Sequence, residues 1–167
     1  MNEQRSPIGY FIGHVNDAKH RYKASSGGIG TMLQKHLLST NQYGTSVTFQ
    51  FSAEKCMYEA KLIHSAEEVN ICGSIYQDID IARFIRENIK EITNGIVVPC
   101  PPCQVSAIRN MLKKEEIPCF IISFCCSGQT TIEGTWKYYD LLGIKKEDVI
   151  KLRSEERRVG KECRSRW

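Results

Sequence analysis

From Gly95 onward the chain reads as a short apolar strand (GIVV), a proline-rich turn (PCPPCQ), a helix over residues 105–114 and a second apolar strand (PCFIISF). Two strands joined through a helix in so few residues form a βαβ unit, so the strands lie parallel and the crossover is right-handed. A parallel pair must be covered by helices on its faces, which commits the chain to the α/β class. The flanking patterns agree. Residues 8–15 read as a strand, and Ser25-Ser26-Gly27-Gly28 opens a helix with Ile29, Met32, Leu33, His36 and Leu37 on its apolar face. Residues 46–52 and 56–64 flank the short link Ala53-Glu54-Lys55 and predict a hairpin. A helix is expected over residues 81–92, with Ile81, Ile85, Ile89 and Ile92 inward and Arg83, Arg86, Glu87 and Lys90 solvated. Another runs from about 132 to 142 and stops at Gly143, and residues 149–152 begin a further strand. The expected architecture is a partly parallel sheet with the βαβ unit at about 95–124, preceded by a strand–helix–hairpin region. Residues 1–78 form the first part and residues 79–152 the start of a second.

The net charge of +4 does not point to nucleic acid, because the surplus is concentrated at one end. Residues 153–167, RSEERRVGKECRSRW, hold six basic and three acidic residues, three of the four surplus charges. This stretch has no apolar periodicity, and at every position it resembles the translation of a common sequencing adapter. It is set aside as foreign. On that reading the natural protein continues past about Leu152, and the piece by itself is inactive. No run long and apolar enough for a membrane span is present, and the start MNEQRSPIGYFIGHV lacks the pattern of a secretory signal. A cytoplasmic location is expected. Eight cysteines then imply small buried hydrophobes, metal ligands or redox groups rather than disulfides.

Cys100 and Cys103 bracket a turn between a buried strand and a helix start, where the helix dipole and unpaired N–H groups favour a thiolate. Pro101 and Pro102 stiffen that turn and remove two donors. Cys125 and Cys126 follow the next parallel strand. Ligands gather beyond the carboxyl ends of such strands, so Cys100, Cys103, Cys125 and Cys126 are the candidate ligands of an iron–sulfur cluster, which takes four thiolates. Cys119 starts its strand at the opposite edge and reads as a small buried hydrophobe. Ser25, Ser26, Gly27 and Gly28 combine hydroxyls, close-approach glycines and a helix start, a seat for a flavin diphosphate or other anion, although a plain serine cap explains the same residues. Gly73-Ser74-Ile75-Tyr76-Gln77-Asp78 is a polar loop with one aromatic, in which Ser74 and Tyr76 are candidate binding residues and Asp78 or Asp80 caps the next helix. His14, His20, His36 and His64 show no metal spacing.

Taken in order, SSGG opening a helix, GS-x-Y ahead of a helix, PCQ followed by AIRNML, and a strand ending in C-x-G resemble the coenzyme F420 hydrogenase/dehydrogenase beta-subunit family over residues 8–152. The resemblance implies FAD, a 4Fe–4S cluster, hydride transfer at the flavin and single-electron transfer through the cluster. It places Ser26, Gly27 and Gly28 at the flavin and Cys103 and Cys126 on the cluster. Relatives reduce deazaflavin, chlorophyll derivatives or sulfite, and others belong to surface-polysaccharide gene clusters. Ile75 and Ser127 depart from the pattern, standing where the family often has lysine and histidine. No C-x-x-C-x-x-C-x-x-x-C-P run precedes Ile8, which implies a separate redox partner such as a ferredoxin or a hydrogenase/dehydrogenase subunit, alongside a small-molecule substrate. Two other readings stay open: a thioredoxin-like thiol–disulfide oxidoreductase built on CPPC, and a non-catalytic member that binds partners.

Overall fold

The computed structural model describes residues 9–126 and 128–149. Five helices, α1 (Ala18–Lys23), α2 (Ile29–Ser39), α3 (Ile81–Glu87), α4 (Pro102–Lys114) and α5 (Ile132–Leu142), accompany strands β1 (Thr45–Ser52), β2 (Met57–Ile63), β3 (Ile96–Cys100) and β4 (Cys119–Ser123). The strands form one sheet in the order β2-β1-β3-β4. β1 and β2 are the expected antiparallel hairpin, while β3 runs parallel to both β1 and β4. The sheet thus joins strands from both sides of residue 78.

Alternation along β3 explains how both faces are covered. Ile96, Val98 and Cys100 enter a core with Val47, Ile81, Ile85, Ile108 and Leu112, so α3 and α4 pack on this face. Ser46 and Val97 face α2 instead. Gln34 of α2, itself buried, donates its side-chain amide to Ser46 Oγ at 2.9 Å and to the Val47 carbonyl at 2.8 Å, and Ser46 Oγ donates to the Val97 carbonyl at 3.0 Å. These bonds satisfy polar groups that burial would otherwise make costly.

The departures from the sequence reading have local causes. Residues 9–15 form no strand: Tyr10, Phe11 and Ile12 are exposed, and Val15 N–H, donating to the Gly27 carbonyl at 2.9 Å, is the nearest backbone tie among the described residues. Strand propensity is realised only where an edge is available to pair with. The buried face of α2 is Gln34, Leu37 and Leu38, one residue out of phase with the expected face, so Met32 and His36 are exposed. Gln34 is the cause, since its amide is hydrogen-bonded inside to Ser46 and Val47. α3 ends at Glu87 and continues only as a 3-10 turn, Ile89–Glu91. There the Asn88 side chain donates to the Phe84 carbonyl at 2.8 Å and competes with the helical ladder. α4 begins at Pro102, earlier than expected, because proline's fixed φ suits the first helical position. The strand expected from residue 149 falls largely outside the described residues, as does the whole of the tail from Arg153.

Candidate functional site

β3 and β4 pair in register from Ile96↔Cys119 to Cys100↔Ser123, so the turns that follow them leave the sheet side by side at its carboxyl edge. Cys103 lies in the first turn of α4, and Cys125 and Cys126 follow Ser123; all three are exposed. Cys100 differs. It is fully buried in the core, and its thiol is pushed up to about 11, first by burial and then by the neighbouring Cys103, against a smaller opposing pull from Arg109. At neutral pH it is a protonated, apolar-packed thiol. Cys119 at the other end is half-buried and also raised by burial, in keeping with a packing role.

The same edge receives the other motifs. An ideal Cβ on Gly30 would lie 3.7 Å from Ile122 Cγ2, which sets the start of α2 against the carboxyl end of β4. Gly27 and Gly28 have φ of 86° and 80°, conformations that favour glycine, and Gly28 is the N-cap of α2 with no side-chain cap bond. The first N–H groups of α2 therefore lack a capping side chain, which suits an anion. The loop at 73–76 touches this turn: Gly73 has φ of 76°, and a Cβ there would stand 3.1 Å from Ser25 Oγ. Ser74 and Tyr76 beside it are exposed. The loop is tied in turn to the segment after Cys126. Thr130 N–H donates to the Tyr76 carbonyl at 2.6 Å and Asp78 N–H to the Thr130 carbonyl at 2.9 Å, a parallel bridge between Gln77 and Thr130.

Two glutamines that the sequence reading passed over hold this assembly. Gln77 is buried, accepting from Tyr58 N–H at 2.7 Å and donating to the Tyr58 carbonyl at 2.8 Å, so its amide extends the hairpin edge. Gln104, next to Cys103, accepts from Ile81 N–H at 2.9 Å and Ala82 N–H at 3.3 Å and donates to the Ile79 carbonyl at 2.8 Å. It shares the start of α3 with Asp80, whose carboxylate accepts from Arg83 N–H at 2.8 Å as the expected helix cap. The signal was the glutamine in PCQ. Its target, a helix start over twenty residues earlier in the chain, was not legible.

The turn at Ser25–Gly28 and the loop at 73–76 have features that suit the phosphate and ring portions of a nucleotide-like cofactor: uncapped N–H groups on a left-handed glycine turn, two hydroxyls and an exposed tyrosine. The thiols fit a 4Fe–4S cluster only in part. Among the described residues no three His, Cys, Asp or Glu side chains stand close enough to hold a metal ion, and of the four candidate thiols Cys100 lies in the core while Cys103, Cys125 and Cys126 are exposed. The thioredoxin-like reading meets the opposite difficulty. Thiol–disulfide exchange needs a thiolate at the first cysteine of the turn, and Cys100 is the buried, protonated one. Ser127 lies outside the described residues, and Ile75 is half-buried.

Two family profiles match the chain. One describes the N-terminal part of the coenzyme F420 hydrogenase/dehydrogenase beta subunit and covers residues 10–86. The other describes the C-terminal part of the coenzyme F420 hydrogenase/dehydrogenase beta subunit; it covers residues 93–164 and so runs into the stretch set apart by its composition. No curated protein matches the chain in sequence. In structure it is similar to a chain of the F420-reducing NiFe hydrogenase complex from Methanosarcina barkeri, in a xenon-derivatized form, with a TM-score of 0.69 at 15% identity. The superposition covers 89% of this chain and 56% of the other, and at that identity it is a likeness of fold.

Proposed function

Because the chain belongs to the coenzyme F420 hydrogenase/dehydrogenase beta-subunit family, we propose that the whole protein is a flavin-dependent oxidoreductase whose cofactor sits at the carboxyl edge of this sheet. The observation that carries this reading is the contact of the loop at 73–76 with Ser25 on one side and with Thr130 on the other. Bound FAD would supply a centre that takes electrons as a hydride and returns them singly. The chain's own part is to bind and orient. Gly27 and Gly28 make the left-handed turn, packed against His14, His20 and Val15, that presents the N–H groups at the start of α2 to a diphosphate, and Ser25 and Ser26 add hydroxyls. Tyr76 offers a ring to stack on, and Ser74 a hydroxyl beside it. Gln77 and the bridge to Thr130 hold that loop at a fixed distance from the sheet.

Cys103, Cys125 and Cys126 remain the proposed contributors to an iron–sulfur cluster at this edge, and Cys100 does not. The proposed setting is a reducing cytoplasm; among the described residues no helix is long and apolar enough to cross a membrane. The proposed partners are a small-molecule substrate and a redox protein, either a ferredoxin or a hydrogenase/dehydrogenase subunit, with surface-polysaccharide biosynthesis as one context. Titrating the purified chain with FAD under anaerobic conditions tests the core of this reading. Saturable quenching of flavin fluorescence is expected, with affinity lowered about tenfold or more in Gly28→Ala, whose Cβ would be strained at φ of 80° and 3.1 Å from the His20 ring and Val15 Cγ2. A parent chain that shows no saturable binding would refute it.

A further inference from the structure

The loop at 73–76 runs on into Gln77 and Asp78, and both of its outer ties lead to the tip of the β1–β2 hairpin. Gln77 bonds Tyr58 at the start of β2 directly, while Thr130 bridges the loop from the other side. From Thr130 the chain turns at once into α5, capped by Thr131, and α5 returns to the same hairpin tip. There Trp136 Nε1–H donates to the carbonyl of Cys56 at 3.4 Å. Lys146, in the turn after α5, steadies that indole with its ammonium 4.0 Å from the ring centre. Tyr139, three positions beyond Trp136 and so on the same side of the helix, is the buried residue of α5. Its hydroxyl is pushed up first by burial and then by the nearby Cys56, itself only 1% exposed. The connections form a closed circuit: loop to Tyr58, Cys56 to Trp136, and α5 through Thr130 back to the loop.

One member of the circuit is left unsatisfied. Tyr139 is 8% exposed, and among the described residues its hydroxyl has no hydrogen-bond partner. A buried hydroxyl without a partner has given up water for nothing, so the docking of α5 carries a penalty that undocking relieves. We infer that α5 is a strap whose docking on the hairpin tip orders the loop it bridges, so that closure of the strap and binding of the cofactor at that loop favour one another. The inference rests on the flavin reading for its ligand alone, because the coupling of α5 to the loop lies within the chain. Docked, α5 holds Thr130 where it donates to the Tyr76 carbonyl at 2.6 Å and accepts from Asp78 N–H at 2.9 Å, which fixes the stretch that carries Ser74 and Tyr76. Undocked, Tyr139 regains water and the loop loses that support. A ligand that binds the ordered loop draws α5 down, and α5 already docked lowers the ordering cost that the ligand meets.

Two conservative variants of the full chain push the strap in opposite directions. Tyr139→Phe removes the unpaired hydroxyl and should favour docking, whereas Trp136→Phe keeps an aromatic ring but removes the donor to Cys56 and should oppose it. Amide hydrogen exchange without ligand reads the coupling. Protection of Asp78 and Thr130 is expected to rise together with that of the α5 amides in Tyr139→Phe and to fall with it in Trp136→Phe. Affinity for FAD, followed by flavin fluorescence, should tighten about threefold in the first variant and weaken about threefold in the second. Exchange that changes in α5 while Asp78 and Thr130 keep the parent's rates overturns the inference, and so does the parent's FAD affinity in both variants. If no protein of the series binds FAD while the two segments still shift together, the flavin reading fails and the strap stands.

Discussion

Cys100 and Cys103 show how far two cysteines of one short motif can diverge. The first ends β3 inside the core and the second begins α4 in solvent. Iodoacetamide at about pH 8 should therefore label Cys103, Cys125 and Cys126 in the folded chain and leave Cys100 and Cys56 unlabelled until it is denatured, as read by peptide mass spectrometry. Titration gives a second measure. The Cys100 thiol ionises near 9.0 when free and at about 11 when folded, so the unfolded chain loses its proton first. Stability from this group is complete below the unfolded value and is lost as pH rises through about 9 to about 11. Burial raises Cys56, Cys119 and Tyr139 in the same direction, so Cys100→Ala should make the fall in melting temperature shallower without abolishing it. Gln77 poses the converse case, a buried amide with both ends bonded to Tyr58. Gln77→Leu leaves that N–H and carbonyl unpaired and should cost about 2 kcal/mol in denaturant unfolding.

The start of α3 depends on two distant parts of the chain. Asp80 caps it from its own sequence, while Gln104 reaches across from α4 to bond the preceding donors and the Ile79 carbonyl. Asp80→Ala should cost about 1 kcal/mol, the usual worth of an N-cap. Gln104→Leu should cost about 2 kcal/mol, because it strands N–H groups at a half-buried helix start. A double-mutant cycle by urea unfolding should show the two losses to be coupled, since the two side chains satisfy successive donors of one helix start. Independent losses would mean that water replaces the glutamine. α5 needs no such help: Thr131 caps it through Gly134 N–H at 3.2 Å, and Gly143 ends it at φ of 69°, the stop that the sequence leads one to expect.

The parallel pairing of β1 with β3 makes the two family-matched halves a single folding unit. Val47 and Ile85 from the first half share one core with Ile96, Val98, Ile108 and Leu112 from the second. A chain cut after Lys90 should accordingly lose cooperative thermal unfolding, because β1 would keep its hairpin partner but lose the surface that covers Val47. Local pattern and turn chemistry were enough to read the hairpin, the βαβ unit, the stop at Gly143 and the order of the four motifs, and to narrow the cap of α3 to Asp78 or Asp80, of which Asp80 serves. Each depends on residues within a few positions of one another, where periodicity and backbone preference act directly. Three features depended on tertiary structure. Gln34 turned α2 by one residue because its amide found partners in β1. Residues 9–14 stayed unpaired because no edge among the described residues received them. Cys100 left the thiol edge because the alternation of β3 points it into the core. In each, the deciding partner lies far along the chain, and the free energy of burying or pairing a group is set by what the fold brings to it.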